Sequence, residues 1–197
     1  MRIVSSEITL YDRFEKRMVM ANLLENIEQE RVEETGSAWK HRRQELGQWT
    51  DIEHEHWDWG RKIEAARTSP GFQTFAIEYR EEIQGLMLVH TKPHSTRLFP
   101  DKGKQILYVS YLESAPHNVY DKYFKYTGLQ LYFAAIQYSV DTGSGGRVGL
   151  HSLPRAEEFY EEACEMINLG KDYSKEGCSL VYFESPQILT PEILKQK

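Results

Sequence analysis

Apolar residues change their spacing several times along the chain, and each spacing predicts an element. From Asp12 to Ile27 the residues Phe14, Met18, Ala21, Leu24 and Ile27 recur at helical intervals with charged residues between them, which predicts an amphipathic helix after a short opening strand at RIVSS. Thr50 and Glu53 are spaced as a capping box, and Ile52, His56, Trp59 and Ile63 give one face of a second helix ending before Ser69-Pro70-Gly71. The stretch from Trp39 to Trp49 has no clear period. Beyond Pro70 the rhythm shortens. FQTFAIEY and IQGLMLVH, separated by Arg80, Glu81 and Glu82, read as a hairpin, and ILYVSYLESAP reads as a long central strand closed by Pro116. Leu129, Phe133, Ile136 and Val140 predict a helix that stops at Asp141-Thr142-Gly143. RVGLHSL is a further strand. Pro154 fits the first turn of a helix with Ala156, Phe159 and Ala163 facing inward, and CSLVYFES is the last strand. This order predicts an α/β domain built on a mixed sheet.

Composition narrows the reading. A chain of 197 residues with 40% hydrophobic and 27% charged residues is of a size and type for one domain with its own core. No low-complexity linker or internal repeat marks a boundary. A net charge of -6 argues against a nucleic-acid platform and favours a small cationic substrate. Cys164 and Cys178 match no metal spacing and are too few for a disulfide scaffold, which suits a reducing cytosol. The opening MRIVSSEITLYDR lacks the apolar core of a signal peptide, and no run approaches the roughly 20 apolar residues of a membrane span, so a cytoplasmic protein is expected.

Several residues then invite chemistry. In APHNVYDKYFKYTGLQ, Lys122 and Lys125 bring positive charge to a helix start, and Gly128 lets backbone come close to a phosphate; an ordinary capped loop has the same features. Glu53-His54-Glu55-His56 resembles a metal box, but residues two apart on a helix point to different sides, and no metal site is expected. His151 either lines a cleft or is a satisfied buried imidazole. Trp39, Trp49, Trp57 and Trp59 cover the sheet or wall a pocket for a cation. Tyr160 on a core-facing helix is either packing or a phenol placed for proton transfer.

The second half resembles the GNAT (Gcn5-related N-acetyltransferase) superfamily. The features that carry the resemblance are a long strand ended by Pro116, Lys125-Tyr126-Thr127-Gly128-Leu129-Gln130 at a helix start, and Arg155-Ala156-Glu157-Glu158-Phe159-Tyr160 in place of the family's A-x-x-FY helix, with Met166 to Gly170 where its next strand begins. Lys125 stands for the commoner Arg or Gln, and Gln130 for a small residue. The resemblance covers about residues 72–184, a cofactor-binding half, with a helical part over about residues 1–70, in a single domain over 1–197. It implies a mixed central sheet flanked by helices. It implies that acetyl-CoA is held by strand backbone around Tyr111, Leu112 and Ser114, with its pyrophosphate on Lys125, Tyr126, Thr127, Gly128, Leu129 and Gln130. It also implies that Tyr160 protonates the departing thiolate while an amine attacks the thioester.

Glu113, at the strand end, is the candidate base, with a salt-bridged carboxylate as its plain alternative; Tyr108 and His117 stand behind it. The acceptor is expected to be a small amine or a peptide amino group. Two other readings stay open: a GNAT toxin that acetylates aminoacyl-tRNA through Lys40, Arg42 and Arg43, and a non-catalytic GNAT-like binding module. The two late strands are candidates for pairing across a homodimer.

Overall fold

The computed structural model describes residues 4–47, 53–68, 71–174 and 178–186. The chain opens with a hairpin where a helix was expected: β1 (Val4–Asp12) pairs antiparallel with β2 (Arg17–Glu25) through Asp12↔Arg17. Phe14 and Met18, counted toward a helical stripe, are 71% and 50% exposed, while Val19, Ala21 and Leu23 alternate inward. The true period is two, and outward methionines disguise it. Asp12 makes the turn by accepting from the N–H groups of Phe14 and Glu15, each at 2.9 Å.

Helix α1 (Gln29–Gly47) begins where no element was expected and runs into the stretch from Trp39 that has no clear period. Its buried residues are Val32, Gly36, Trp39 and Arg43, a regular helical stripe whose members include a glycine and an arginine. Gly36 is needed there, because a Cβ would stand 2.7 Å from the Cβ of Trp59 on the next helix. That helix, α2 (Trp59–Arg67), buries Trp59, Ile63 and Ala66 as expected for its inner face, but Asp58 caps it, accepting from Arg61 N at 3.1 Å. His56 precedes it, and the proposed cap Thr50 with Ile52 lies outside the described residues.

The later elements follow the expected order. β3 (Phe72–Tyr79) and β4 (Glu82–Ser95) form the hairpin across a two-residue turn, with Arg80 and Glu81 both at positive φ (51° and 67°) as a tight hairpin turn requires. Then come β5 (Gln105–Ser114), the short helix α3 (Pro116–Val119), β6 (Phe124–Lys125), α4 (Thr127–Asp141), β7 (Val148–Ser152), β8 (Ile167–Lys171) and β9 (Val181–Glu184). The strands lie in the order β6-β1-β2-β3-β4-β5-β7-β9-β8. β7 runs parallel to β5, while β9 is antiparallel to both β7 and β8, so the sheet is mixed. Of the stripe read on Leu129, Phe133, Ile136 and Val140, Ile136 is fully buried, and the other most buried residues of α4 are Leu131, Tyr132, Ala135 and Ser139.

The segment after Pro154 is not a regular α-helix. Pro154–Ala156 is a 3-10 turn and Phe159–Ala163 a π turn, in which Cys164 N–H reaches Phe159 O at 3.1 Å. The wider turn shifts the inward position. Tyr160 and Cys164 are buried and Ala163 is exposed, whereas regular spacing pointed Ala156, Phe159 and Ala163 inward.

The chain divides into two compact units, Met1–Leu88 with Tyr111–Leu131 and Val89–Ser110 with Tyr132–Lys197. The first is built on the β1–β2 and β3–β4 strands, with α1 and α2 burying Val32, Trp39, Trp59 and Ile63 against Leu24, Ala76, Leu86 and Leu88. The second holds β7, β8 and β9 with the first half of β5. Among the described residues no helix is long and apolar enough to cross a membrane.

Candidate functional site

The glycine-bearing turn belongs to the first unit. After α3 the chain pairs β6 with β1 through Tyr11↔Lys125 and Asp12↔Phe124, then turns at Tyr126, whose φ is 75°, into α4. Gln130 N–H closes on Tyr126 O at 2.8 Å, and the amides of the first turn come before it, where a helix has no acceptors of its own. The Thr127 hydroxyl is buried and finds no partner among the described residues. The Gln130 side chain donates from Nε2 to Thr9 O at 3.2 Å, so its amide is bonded to β1. Lys125 extends over the Tyr11 ring, with Nζ 5.6 Å from its centroid. The loop leading here is pinned through Gln84, which accepts from His117 Nε2 at 2.7 Å and from Asn118 Nδ2 at 3.1 Å. Burial pulls the His117 pKa down.

Glu113, near the end of β5 in the same unit, is a buried carboxylate with both oxygens engaged. Oε1 accepts from Arg43 Nη1 at 2.5 Å and Oε2 from Trp59 Nε1 at 2.7 Å, with His54 Nε2 3.6 Å from Oε1. Arg43 is fully buried and also donates to Trp57 O at 2.5 Å. Burial raises the Glu113 pKa, outweighing the opposing pull of Arg43 and Trp59. Above this group Lys62 Nζ lies 3.3 Å from the Tyr111 ring centroid and 4.2 Å from that of Trp57, so an ammonium already sits in an aromatic box beside a carboxylate. Burial lowers Lys62 to about 8, partly offset by Glu113. Burial, then Arg43, lowers His54 to about 4, so its ring is neutral at physiological pH.

The second unit holds the other predicted residues. Tyr160 is buried, its ring 5.1 Å from Phe159 and 6.0 Å from Phe183. Burial pushes its pKa up, so the phenol keeps its proton. Tyr108 Oη lies 2.7 Å from His151 Nδ1, and His151 Nε2 lies 3.1 Å from Asp172 Oδ2. Asp172 also accepts from Arg97 Nη2 at 2.5 Å and Ser174 N–H at 2.9 Å, and the arginine bond first of all holds its carboxyl well below the usual range.

The structure thus gathers Tyr111, Leu112, Glu113, Ser114 and Lys125 to Gln130 in one unit and places Tyr160 and Tyr108 in the other. No family model and no curated sequence matches the chain. Its fold does match solved structures. An acetyltransferase of the GNAT family from Staphylococcus aureus Mu50 superposes with a TM-score of 0.56 at 10% identity, covering 85% of this chain and 99% of that one. The histone acetyltransferase HPA2 and related acetyltransferase from Corynebacterium glutamicum gives 0.53 at 13% identity over 86% and 97% of the two chains. A predicted acetyltransferase with acetyl-CoA from Clostridium acetobutylicum gives 0.50 at 10% identity over 79% and 93%.

The chain has the GNAT acetyltransferase fold.

On that fold, Arg43, named with Lys40 and Arg42 as a surface for tRNA, is instead fully buried against Glu113, and Lys62, Arg97 and Asp172 are polar residues that the sequence did not single out for chemistry. Arg43 and Glu113 are 70 positions apart, and Arg97 and Asp172 are 75 apart, so no local pattern joins them. The tryptophans gave a partial signal. Trp57 does wall a cation, but the cation is the protein's own Lys62.

Proposed function

We propose that the protein is an N-acetyltransferase that moves the acetyl group of acetyl-CoA to an amine by direct attack. The observation that carries this reading is the α4 entrance. Backbone amides of the first turn lack acceptors within the helix, Lys125 lies just before them on β6, and the Gln130 side chain that could crowd them is tied back to β1. These residues fit a pyrophosphate. Backbone groups of Tyr111, Leu112 and Ser114 hold the pantetheine arm in this reading, with Tyr126, Gly128 and Leu129 completing the turn.

Acetyl-CoA supplies an acyl group activated as a thioester. Tyr160 is the general acid: its phenol, kept protonated by burial, gives its hydrogen to the sulfur as the C–S bond breaks and the C–N bond forms. Glu113, the candidate base, has both oxygens occupied, and in this reading it orients Arg43 and Trp59 rather than taking the amine's proton. The net charge of -6 favours a cationic acceptor.

Acetyl-CoA at 100 times its Kd is expected to stabilise the fold by about 2.7 kcal/mol. A screen of polyamines, lysine peptides and aminoacyl-tRNA for thiol release then identifies the acceptor. No melting shift at millimolar acetyl-CoA would leave a binding module in place of an enzyme. Tyr160→Phe is expected to slow turnover about 100-fold with unchanged acetyl-CoA stabilisation. Full turnover in this variant removes Tyr160 from the mechanism.

A further inference from the structure

The outer side of α1 carries a groove that belongs wholly to the first unit. It is an open cavity of about 470 Å³ between α1, the β3–β4 turn and α3. Its apolar lining is Trp39 and Ile83, each 6% exposed, with Ala38 and Pro116. Arg31, Thr35, Ala38 and Arg42 recur at helical spacing on the α1 side, so the groove follows the helix for about 16 Å from one arginine to the other. An extended chain covers that length in about five residues.

The charges along the groove differ in what already binds them. Arg31 donates from Nη2 to Glu78 and, at 3.0 Å, to Glu81 O. Arg42 donates to Glu45 at 3.2 Å and to Asp121 at 3.4 Å, so each guanidinium is matched by a carboxylate. Glu34, Glu81 and Glu82 are exposed, and their carboxylates have no cationic partner among the described residues. On the α3 side, His117 Nε2 donates to Gln84 Oε1 at 2.7 Å. Burial lowers the His117 pKa, so its ring sets no charge against a cation. The surplus in the groove is therefore negative, and it lies over an apolar lining.

We propose that this groove docks a basic peptide segment, with lysine or arginine side chains on Glu34, Glu81 and Glu82 and their alkyl stems along Trp39, Ile83 and Pro116. Charge complementarity selects the sign of the partner, and the two ends of the groove select its kind. A guanidinium paired with a carboxylate keeps N–H donors to spare, and peptide carbonyls accept them. A polyamine has only donors and would meet Arg31 and Arg42 with nothing to offer them. Exposed charges of this kind give specificity more than affinity, so the binding is weak and salt-sensitive. The inference goes beyond the acetyltransferase reading, because the groove needs neither acetyl-CoA nor Tyr160 to bind.

Fluorescence anisotropy with a labelled hexapeptide of alternating arginine and alanine, without acetyl-CoA, reads the groove directly. The expected result is saturable binding that weakens as salt rises and falls roughly tenfold in Glu34→Gln with Glu82→Gln. Ala38→Arg puts bulk and a like charge at an exposed position in the groove, and should abolish binding with an unchanged unfolding midpoint. Glu7→Gln with Glu64→Gln removes the same charge from exposed positions elsewhere and should leave the affinity within about twofold. Equal losses in the two double variants mean diffuse attraction to an acidic protein and overturn the groove. Full binding in Ala38→Arg, or none in wild type, overturns it as well. Spermine binding more tightly than the peptide and displacing it overturns the peptide in favour of a polyamine. Acetyl-CoA stabilisation is measured separately, so its absence strikes the acetyltransferase reading and leaves the groove, and loss of the peptide does the reverse.

Discussion

Two carboxylates in this protein are each bonded to an arginine at 2.5 Å with a histidine nearby, yet their protons are pulled in opposite directions. Glu113 is pushed up and Asp172 held down. The partners are alike; the solvent is not. Arg43 and Glu113 have side chains 0% and 3% exposed, so desolvation outweighs the attraction between them. Asp172 is 8% exposed but its partner Arg97 is 50% exposed, so only one member of that pair is stripped of water and the arginine bond prevails. Counting ion pairs would rank the two sites as equals. Burial separates one that specifies packing from one that keeps a carboxylate ionised beside an imidazole.

The largest expected effect comes from breaking the buried pair. Glu113→Ala leaves the Arg43 charge alone in the core and should cost about 3–5 kcal/mol in urea unfolding. A loss near zero would mean Arg43 escapes to water. Removing both charges sharpens the point: Arg43→Met with Glu113→Leu should recover most of that loss, short by about 1 kcal/mol for the bond Trp59 gives up. The next effect is one of pH. His54 binds its proton at about 4 when folded against an ordinary 6.5, so the unfolded chain takes up more protons between those values. The His54 contribution to stability should therefore be level above pH 6.5 and fall as pH drops toward 4. Solvent screening of the partly exposed ring limits the loss to about 1 kcal/mol, and His54→Gln should flatten it. The last effect is at the second pair, where Asp172 is 8% exposed but Arg97 is 50% exposed, so Asp172→Ala leaves no buried charge alone and should cost about 1–2 kcal/mol, less than Glu113→Ala. A loss there matching Glu113→Ala would dissolve the contrast.

How far the fold was legible follows the same division. β3, β4, β5, β7 and β9 are runs of apolar residues bounded by turn formers, and α4 has its helical period, so all were readable. The first hairpin was not, because Met18 and Met20 are apolar residues on an outward face and mimic a longer period. Helix α1 was hidden because Gly36 and Arg43 occupy its core stripe, where pattern reading looks for aliphatic side chains. In the candidate site, the turn at Lys125 to Gln130 is contiguous and could be read from its glycine and lysine. The chain from Tyr108 through His151 to Asp172 is assembled from three distant segments, and only tertiary contact reveals it.

The turn before α4 is hung on β1, through the Tyr11↔Lys125 pairing and the reach of Gln130 to Thr9, so the amino-terminal strand and the opening of α4 share their anchors. Any diphosphate gripping that turn must then quiet hydrogen exchange along residues 4–12 without touching them. Trimming those first residues would loosen the grip from the opposite side.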